Sequence, residues 1–256
     1  MKLTHSFSLG IAVFLAPISA SAALLAHYDF TDGDILDDEQ GNYALTEVAP
    51  GTGNVGINPD GSASFPGNGA ANGAHLEVVG PGGSANFTVS LWVRTDSWSQ
   101  GGFQGIFSNL NASTAGNFSW QIDVNSGTLR VVSATANFEI ISTDATGFAT
   151  DTWHHIVLRK TPAGTELFAT ELGDVGGPNS LGTNDDNPGG LQNFRLGTNR
   201  NTDSFFRMDM SNVKIYDDAD TPIATLFAEG PQLVPEPSST ALLGLGVLGF
   251  VLRRRR

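Results

Sequence analysis

Apolar and polar residues alternate with period two along much of the chain, the pattern of half-buried β-strands. In Phe87–Arg94, Phe87, Val89, Leu91 and Val93 take one face, and Thr88, Ser90, Trp92 and Arg94 take the other. The run 152–159 is apolar on both faces near its end, as in a central strand. Further strands are expected at 24–30, 118–124, 128–132, 138–141, 166–170, 194–196, 210–216 and 225–227. Turn clusters separate them, among them Asp60-Gly61, Pro162-Ala163-Gly164 and Gly176-Gly177-Pro178, and Asn125-Ser126-Gly127 reads as a hairpin loop. No stretch of the body sustains a 3.6-residue stripe, and no internal repeat stands out. The pattern predicts an all-β domain, a jelly-roll sandwich of two antiparallel sheets.

Both ends break this pattern. Lys2 is the sole charge before Asp29; an apolar run, 7–18, follows it, and then small residues with an A-x-A site at Ala20 and Ala22. This is the layout of an export signal over 1–22, cleaved after Ala22; a buried N-terminal element is the alternative. At the other end, Val234-Pro235-Glu236-Pro237 precedes an apolar segment, 241–252, and the chain finishes with Arg253, Arg254, Arg255 and Arg256. As a helix, 238–252 reaches about 22 Å, short of a hydrocarbon core of about 30 Å. Local thinning and snorkelling arginines bring it into range. The arginines would stay cytoplasmic and leave the body outside. The expected division is a signal at 1–22, a body at 23–230, a linker at 231–237 and a short transmembrane segment with its Arg tail at 238–256.

Composition sharpens this. The whole chain carries −13, with 31 Gly, 12 Pro and no Cys, which excludes a disulfide framework. Setting aside Lys2, Glu236 and Arg253–Arg256 leaves 8 basic and 25 acidic residues, so the body carries −17. That charge argues against nucleic acid as a partner and favours cations, including Ca²⁺.

The three-part C-terminus, from Val234 to Arg256, resembles the PEP-CTERM sorting signal of exported proteins in Gram-negative bacteria. The resemblance implies that Pro235, Glu236 and Pro237 mark processing by an exosortase, a membrane protease. It further implies transient anchoring in the inner membrane, then release to the cell surface or to an extracellular, exopolysaccharide-containing matrix. A plain single-pass anchor is the alternative. "FTVSLWVRTD" at 87–96, "WHHIVL" at 153–158 and "MSNVKIYDD" at 210–218 resemble recurring strands of the LamG-like domain, within the concanavalin A-like lectin/glucanase superfamily. "HYDFTDGDILDDEQGNYAL" at 27–45 resembles that family's opening segment. The fold implied is a jelly roll with one convex and one concave sheet, and polysaccharide becomes a candidate partner.

Catalytic chemistry is hard to find. Retaining glycosidases need two carboxylates about 5 Å apart, and the E-x-D-x-x-E pattern of the related glucanases is absent. Asp123 and Glu139 read as isolated acids, no G-x-S-x-G elbow occurs, and His154 and His155 read as structural. The expectation is no enzyme. Calcium needs six to eight oxygens, and 29–42 is rich in them; the candidate ligands are Asp29, Asp32, Asp37 and Asn42, with Asn212 where the family more often has an acid. An exposed acidic loop without an ion is the alternative. Sugars need aromatic platforms beside fixed polar groups; Trp98, Phe103, Trp120 and Phe148 neighbour small or polar residues, with Trp98 and Trp120 the preferred candidates. Three functions remain open: a non-catalytic binder of carbohydrate or protein, a structural or adhesive matrix protein, and an atypical glycoside-active enzyme.

Overall fold

The computed structural model describes residues 22–67, 71–80, 86–110, 119–133, 138–185 and 190–235. The expected signal up to Ala20, the residues Glu236 and Pro237, the transmembrane segment and the four terminal arginines lie outside the described residues. Among the described residues no helix is long and apolar enough to cross a membrane.

Fifteen strands and one helix are described. They are β1 (Leu24–Tyr28), β2 (Thr46–Val48), β3 (Gly56–Ile57), β4 (Ala63–Phe65), β5 (His75–Val78), β6 (Phe87–Arg94), β7 (Gln104–Leu110), β8 (Trp120–Asn125), β9 (Thr128–Ser133), β10 (Phe138–Asp144), β11 (His154–Thr161), β12 (Gly164–Glu171), β13 (Ser180–Asn184), β14 (Asn193–Leu196), β15 (Met208–Tyr216) and α1 (Ile223–Glu229). They form the two antiparallel sheets that the alternation predicts. The first runs β13-β12-β11-β6-β15-β4-β3, with β1 also paired to β15; the second runs β10-β9-β8-β7-β14-β5-β2. As expected for a strand apolar on both faces, β11 is central, between β12 and β6.

The inward faces meet in one core. An aromatic stack runs through it: Phe87 from the first sheet lies 5.1 Å from Trp120, which lies 5.4 Å from Phe107, which lies 5.4 Å from Phe194, all nearly parallel. Tyr28 closes the series edge-on at 6.3 Å. Rings of this size contribute heavily to burial, and stacking adds about 0.5–1.5 kcal/mol per pair.

The segment 225–227, expected as a strand, lies inside helix α1. Ile223 and Thr225 are β-branched and suggest a strand, but Ile223 and Leu226 share a buried helical face. Pro222 starts the helix, where a missing N–H costs little, and Gly230 ends it at φ 69°, a conformation that favours glycine. The helix covers the outer face of the first sheet: Phe227 stacks on Trp92 at 5.6 Å, and Ile223 packs with Val157 and Phe168.

The chain then continues along the same sheet. The Ser211 hydroxyl donates to the Gln232 carbonyl at 2.6 Å, and the Val234 amide donates to the Asp60 carbonyl at 2.8 Å. The first part of the expected linker is therefore docked on the body.

Candidate binding face

The outer face of the second sheet is polar. Cross-strand register aligns Glu139, Val132, Gln121, Ser108, Arg195, Glu77 and Thr46 in one row from β10 to β2. Six strand spacings of about 4.8 Å make this track roughly 29 Å wide. A second row aligns Ser142, Arg130, Asp123 and Gly105. The alternation explains the placement: Trp120, Ile122 and Val124 of β8 point into the core, so Gln121 and Asp123 point out.

Asp123 and Arg130 face each other across the hairpin that Asn125-Ser126-Gly127 begins. Arg130 holds the carboxylate with two bonds, Nε to Oδ1 at 2.9 Å and Nη2 to Oδ2 at 2.8 Å, and Gln121 Nε2 donates to Oδ2. Arg130 Nη1 reaches Glu139 at 3.3 Å. Asp123 and Glu139 are thus joined through one guanidinium rather than isolated. Burial pushes the Asp123 carboxyl up, against the downward pull of Arg130 and Gln121. Beside this group lies Phe103, 56% exposed, its ring centre 5.3 Å from the Arg130 guanidinium carbon. Phe103 has φ 58°, a left-handed conformation that costs a bulky residue free energy.

Towards the other edge, Arg195 Nε donates to Glu77 at 2.8 Å, and His75 Nε2 stands 3.5 Å from the same carboxylate. Burial lowers the His75 pKa, and Arg195 adds to this. A groove of about 410 Å³ opens here, lined by Asn42, Tyr43, Thr46, Glu77, Asn193 and Arg195 among others.

The loop from Gly197 to Arg207 lies across the middle of the face. It approaches closely at Gly105, where a Cβ would stand 2.1 Å from the Asn199 nitrogen. Phe205 is fully buried against Gly73 and near the His75 ring. The Arg200 amide donates to Gln121 Oε1 at 2.9 Å. Among the described residues, several buried polar atoms around this loop lack a hydrogen-bond partner: both His75 nitrogens, Ser108 Oγ, Thr198 Oγ1 and Arg200 Nη1. Such groups are costly unless something completes them.

The expected sugar platforms lie elsewhere. Trp120 is 0% exposed in the core stack, and Trp98 is 3% exposed, edge-on to Phe148 and His154. Neither ring has a face open to a ligand, so both readings are corrected. Phe103 is the exposed ring of the four candidates, while Phe148 is half-buried against Trp98 and His154. His154 and His155 are buried; His155 accepts or shares a proton with Ser90 at 2.7 Å and stacks on Trp92.

Of the calcium candidates, Asp32 and Asp37 come together with Glu39, their oxygens within 4.8 Å of one another. Mutual repulsion raises the Glu39 pKa, with Asp29 the largest contributor. Asp29 spends Oδ1 on the Thr31 amide and hydroxyl. Asn42 lies on the groove and is not part of the three-carboxylate group. Asn212 is committed elsewhere: its amide oxygen meets His27 Nε2 at 3.0 Å and its Nδ2 donates to the Gly230 carbonyl at 2.8 Å. Asp38, which is not among the candidates, organises the loop, accepting bonds from the amides of His27, Gln40, Asn42 and Tyr43.

Comparison with known proteins fits this architecture. The family model described as the concanavalin A-like lectin/glucanases superfamily matches residues 66–222, and the chain belongs to that family. A second model, the PEP-CTERM protein-sorting motif, matches residues 233–256, a signal that implies export and surface sorting. No curated protein sequence matches the chain. Among solved structures, domain 4 of AbnA, an extracellular arabinanase from Geobacillus stearothermophilus in complex with arabinotriose, is 19% identical, with 81% of this chain and 99% of that chain covered and a TM-score of 0.58. The binding domain of botulinum neurotoxin DC in complex with SialylT is 14% identical, with 80% and 51% covered and a TM-score of 0.56. A Trypanosoma rangeli sialidase mutant with trans-sialidase activity is 12% identical, with 80% and 32% covered and a TM-score of 0.52. At these identities the likeness concerns the fold.

Proposed function

We propose that this is an exported protein, processed by an exosortase-type protease after transient anchoring in the inner membrane, whose LamG-like domain binds carbohydrate without catalysis at the cell surface or in the extracellular matrix. One observation carries the binding reading: an exposed aromatic ring, Phe103, stands over the Arg130 guanidinium, which a buried network with Gln121 and Asp123 holds in place and which reaches the exposed carboxylate of Glu139. A sugar offers an apolar C–H face to such a ring and hydroxyls to the exposed Glu139 carboxylate near it. The ring is held in a costly backbone conformation, a feature that clusters at binding sites. That solved relatives of this fold are named as binding arabinotriose or as binding domains agrees with the reading.

The same geometry argues against hydrolysis. A nucleophilic carboxylate needs a free oxygen facing the sugar, whereas Asp123 accepts three bonds from Arg130 and Gln121. Calcium suits Asp32, Asp37 and Glu39, which offer hard carboxylate oxygens. Bound there, the ion would fasten the loop beside the groove and relieve the repulsion on Glu39.

A glycan array probed with the purified full-length chain, with and without Ca²⁺, tests the function. Binding that Phe103→Ala abolishes supports it. No binding in either condition contradicts it and returns the structural or adhesive reading.

A further inference from the structure

The acidic body gathers three of its few cations on this one face. Arg130, Arg195 and Arg200 all belong to it, against a body charge of −17. Two are neutralised: Arg130 by Asp123 and Glu139, and Arg195 by Glu77. Elsewhere Arg94, Arg159 and Arg207 each hold a carboxylate as well. Arg200 holds none among the described residues.

The position of Arg200 is specific. Its amide is bonded to Gln121 in the middle of the polar row, and Arg195 Nη1 lies 3.5 Å from its carbonyl. Its own Nη1 is buried without a partner among the described residues, although the residue as a whole is half-buried. Thr198, two residues away on the same loop, and Ser108, the register partner of both Gln121 and Arg195, also have unpartnered hydroxyls. Burial lowers the Arg200 pKa, Asp123 counters this from a distance, and Arg130 adds repulsion. A half-buried guanidinium that has no carboxylate partner among the described residues, on a face where the other two arginines are paired, is completed by a planar anion. An unpaired desolvated charge is otherwise a cost with no return.

We propose that Arg200 is an anion subsite of this face, and that the ligand is a glycan bearing carboxylates, a polyuronate, rather than a neutral one. This rests on the carbohydrate-binding reading and names its ligand class. It runs against the net charge, which by itself disfavours polyanions at long range. The local donor set decides what is held at contact, because Coulomb interactions beyond about 8 Å are screened at physiological salt.

The test is calorimetric titration of the full-length chain with oligogalacturonate and with its fully methyl-esterified form, in EDTA so that calcium cannot bridge. The acid form should bind about tenfold tighter or more, the range of a charge-assisted pair. Arg200→Gln should erase the difference, and Arg200→Lys should retain part of it, since lysine keeps the charge and loses the fork. Unchanged circular dichroism and melting temperature in the lysine variant keep the test valid even if the glutamine variant folds poorly. Equal binding of acid and ester, with binding still lost in Phe103→Ala, overturns the anion subsite and leaves the carbohydrate reading standing. Full preference for the acid in a folded Arg200→Gln chain also overturns it. Failure of both forms and of every arrayed glycan overturns both.

Discussion

The two outer faces of this sandwich are built in opposite ways. The first sheet presents Trp92, Val157 and Phe168, and the chain covers them with helix α1 and the segment up to Val234. The second presents Gln121, Asp123, Arg130, Arg195 and Glu77, crossed by one loop and bordered by an exposed ring. An apolar outer face in an exported chain must be sealed, and here the seal is made from the residues that lead to the sorting motif. The polar outer face is crossed by a loop rather than capped by a helix; among the described residues several unpartnered polar atoms gather around that loop, where the first face has Trp92 Nε1, and a phenylalanine beside it is strained. The first face serves stability; the second accepts costs that stability alone does not explain.

The comparison can be broken most sharply at Trp92. Trp92→Ala removes a fully buried ring stacked on His155 and Phe227, so urea unfolding should show a loss of about 3–5 kcal/mol. The fraction that remains folded should bind glycan as before. On the polar face, Asp123→Asn strips the charge from a fully buried partner of Arg130, at a cost of about 3–5 kcal/mol. Here denaturation and glycan binding should fall together, and a stable variant that binds normally would remove Asp123 from the site.

Acid should act through the sealed face. Burial lowers the His155 pKa from its ordinary value to about 3. A neutral buried histidine contributes stability that is complete above about pH 6.5, its unfolded value, and is lost as pH falls towards the folded value. Within that window the slope approaches about 1.4 kcal/mol per pH unit. Melting curves between pH 7 and pH 4 should show the decline, and His155→Gln should flatten it; an unchanged slope in that variant would assign the acid sensitivity to other groups. The smallest effect on stability is expected at Phe103. Phe103→Gly relieves a left-handed φ, so stability should stay within about 1 kcal/mol or rise, while glycan binding disappears. Retained binding would remove the ring from the site.

Strands with uninterrupted alternation could be read directly from the chain. Phe87–Arg94 is read to the residue, and the 118–124 and 128–132 readings fall on β8 and β9. Strand β7, at Gln104–Leu110, escaped because Gly105 and a bulge between Gly105 and Phe107 break the period. Helix α1 escaped because seven residues are too few to reveal a 3.6 period and two of them are β-branched. The site was harder. Trp120 looked available because its neighbours are polar, yet it shares a face with Ile122 and Val124, which alternation assigns to the core. The Asp123–Arg130 pair was within reach, since counting outward from the turn at Ser126-Gly127 sets these two residues opposite each other. Arg195 and Arg200 were not, because only the sheet order brings β14 and its following loop over β7 and β8. Net charge obscured them further, as an average over the body hides three arginines on one face.

Hydrogen exchange on the full-length chain, with and without the glycan that binds it best on the array, tests the central claim most directly. Protection is predicted at 103–105, at β9 around Arg130 and at 195–201, with no change in α1 or at 230–234. Protection confined to α1 and the docked C-terminal segment, with the second sheet unchanged, would contradict it.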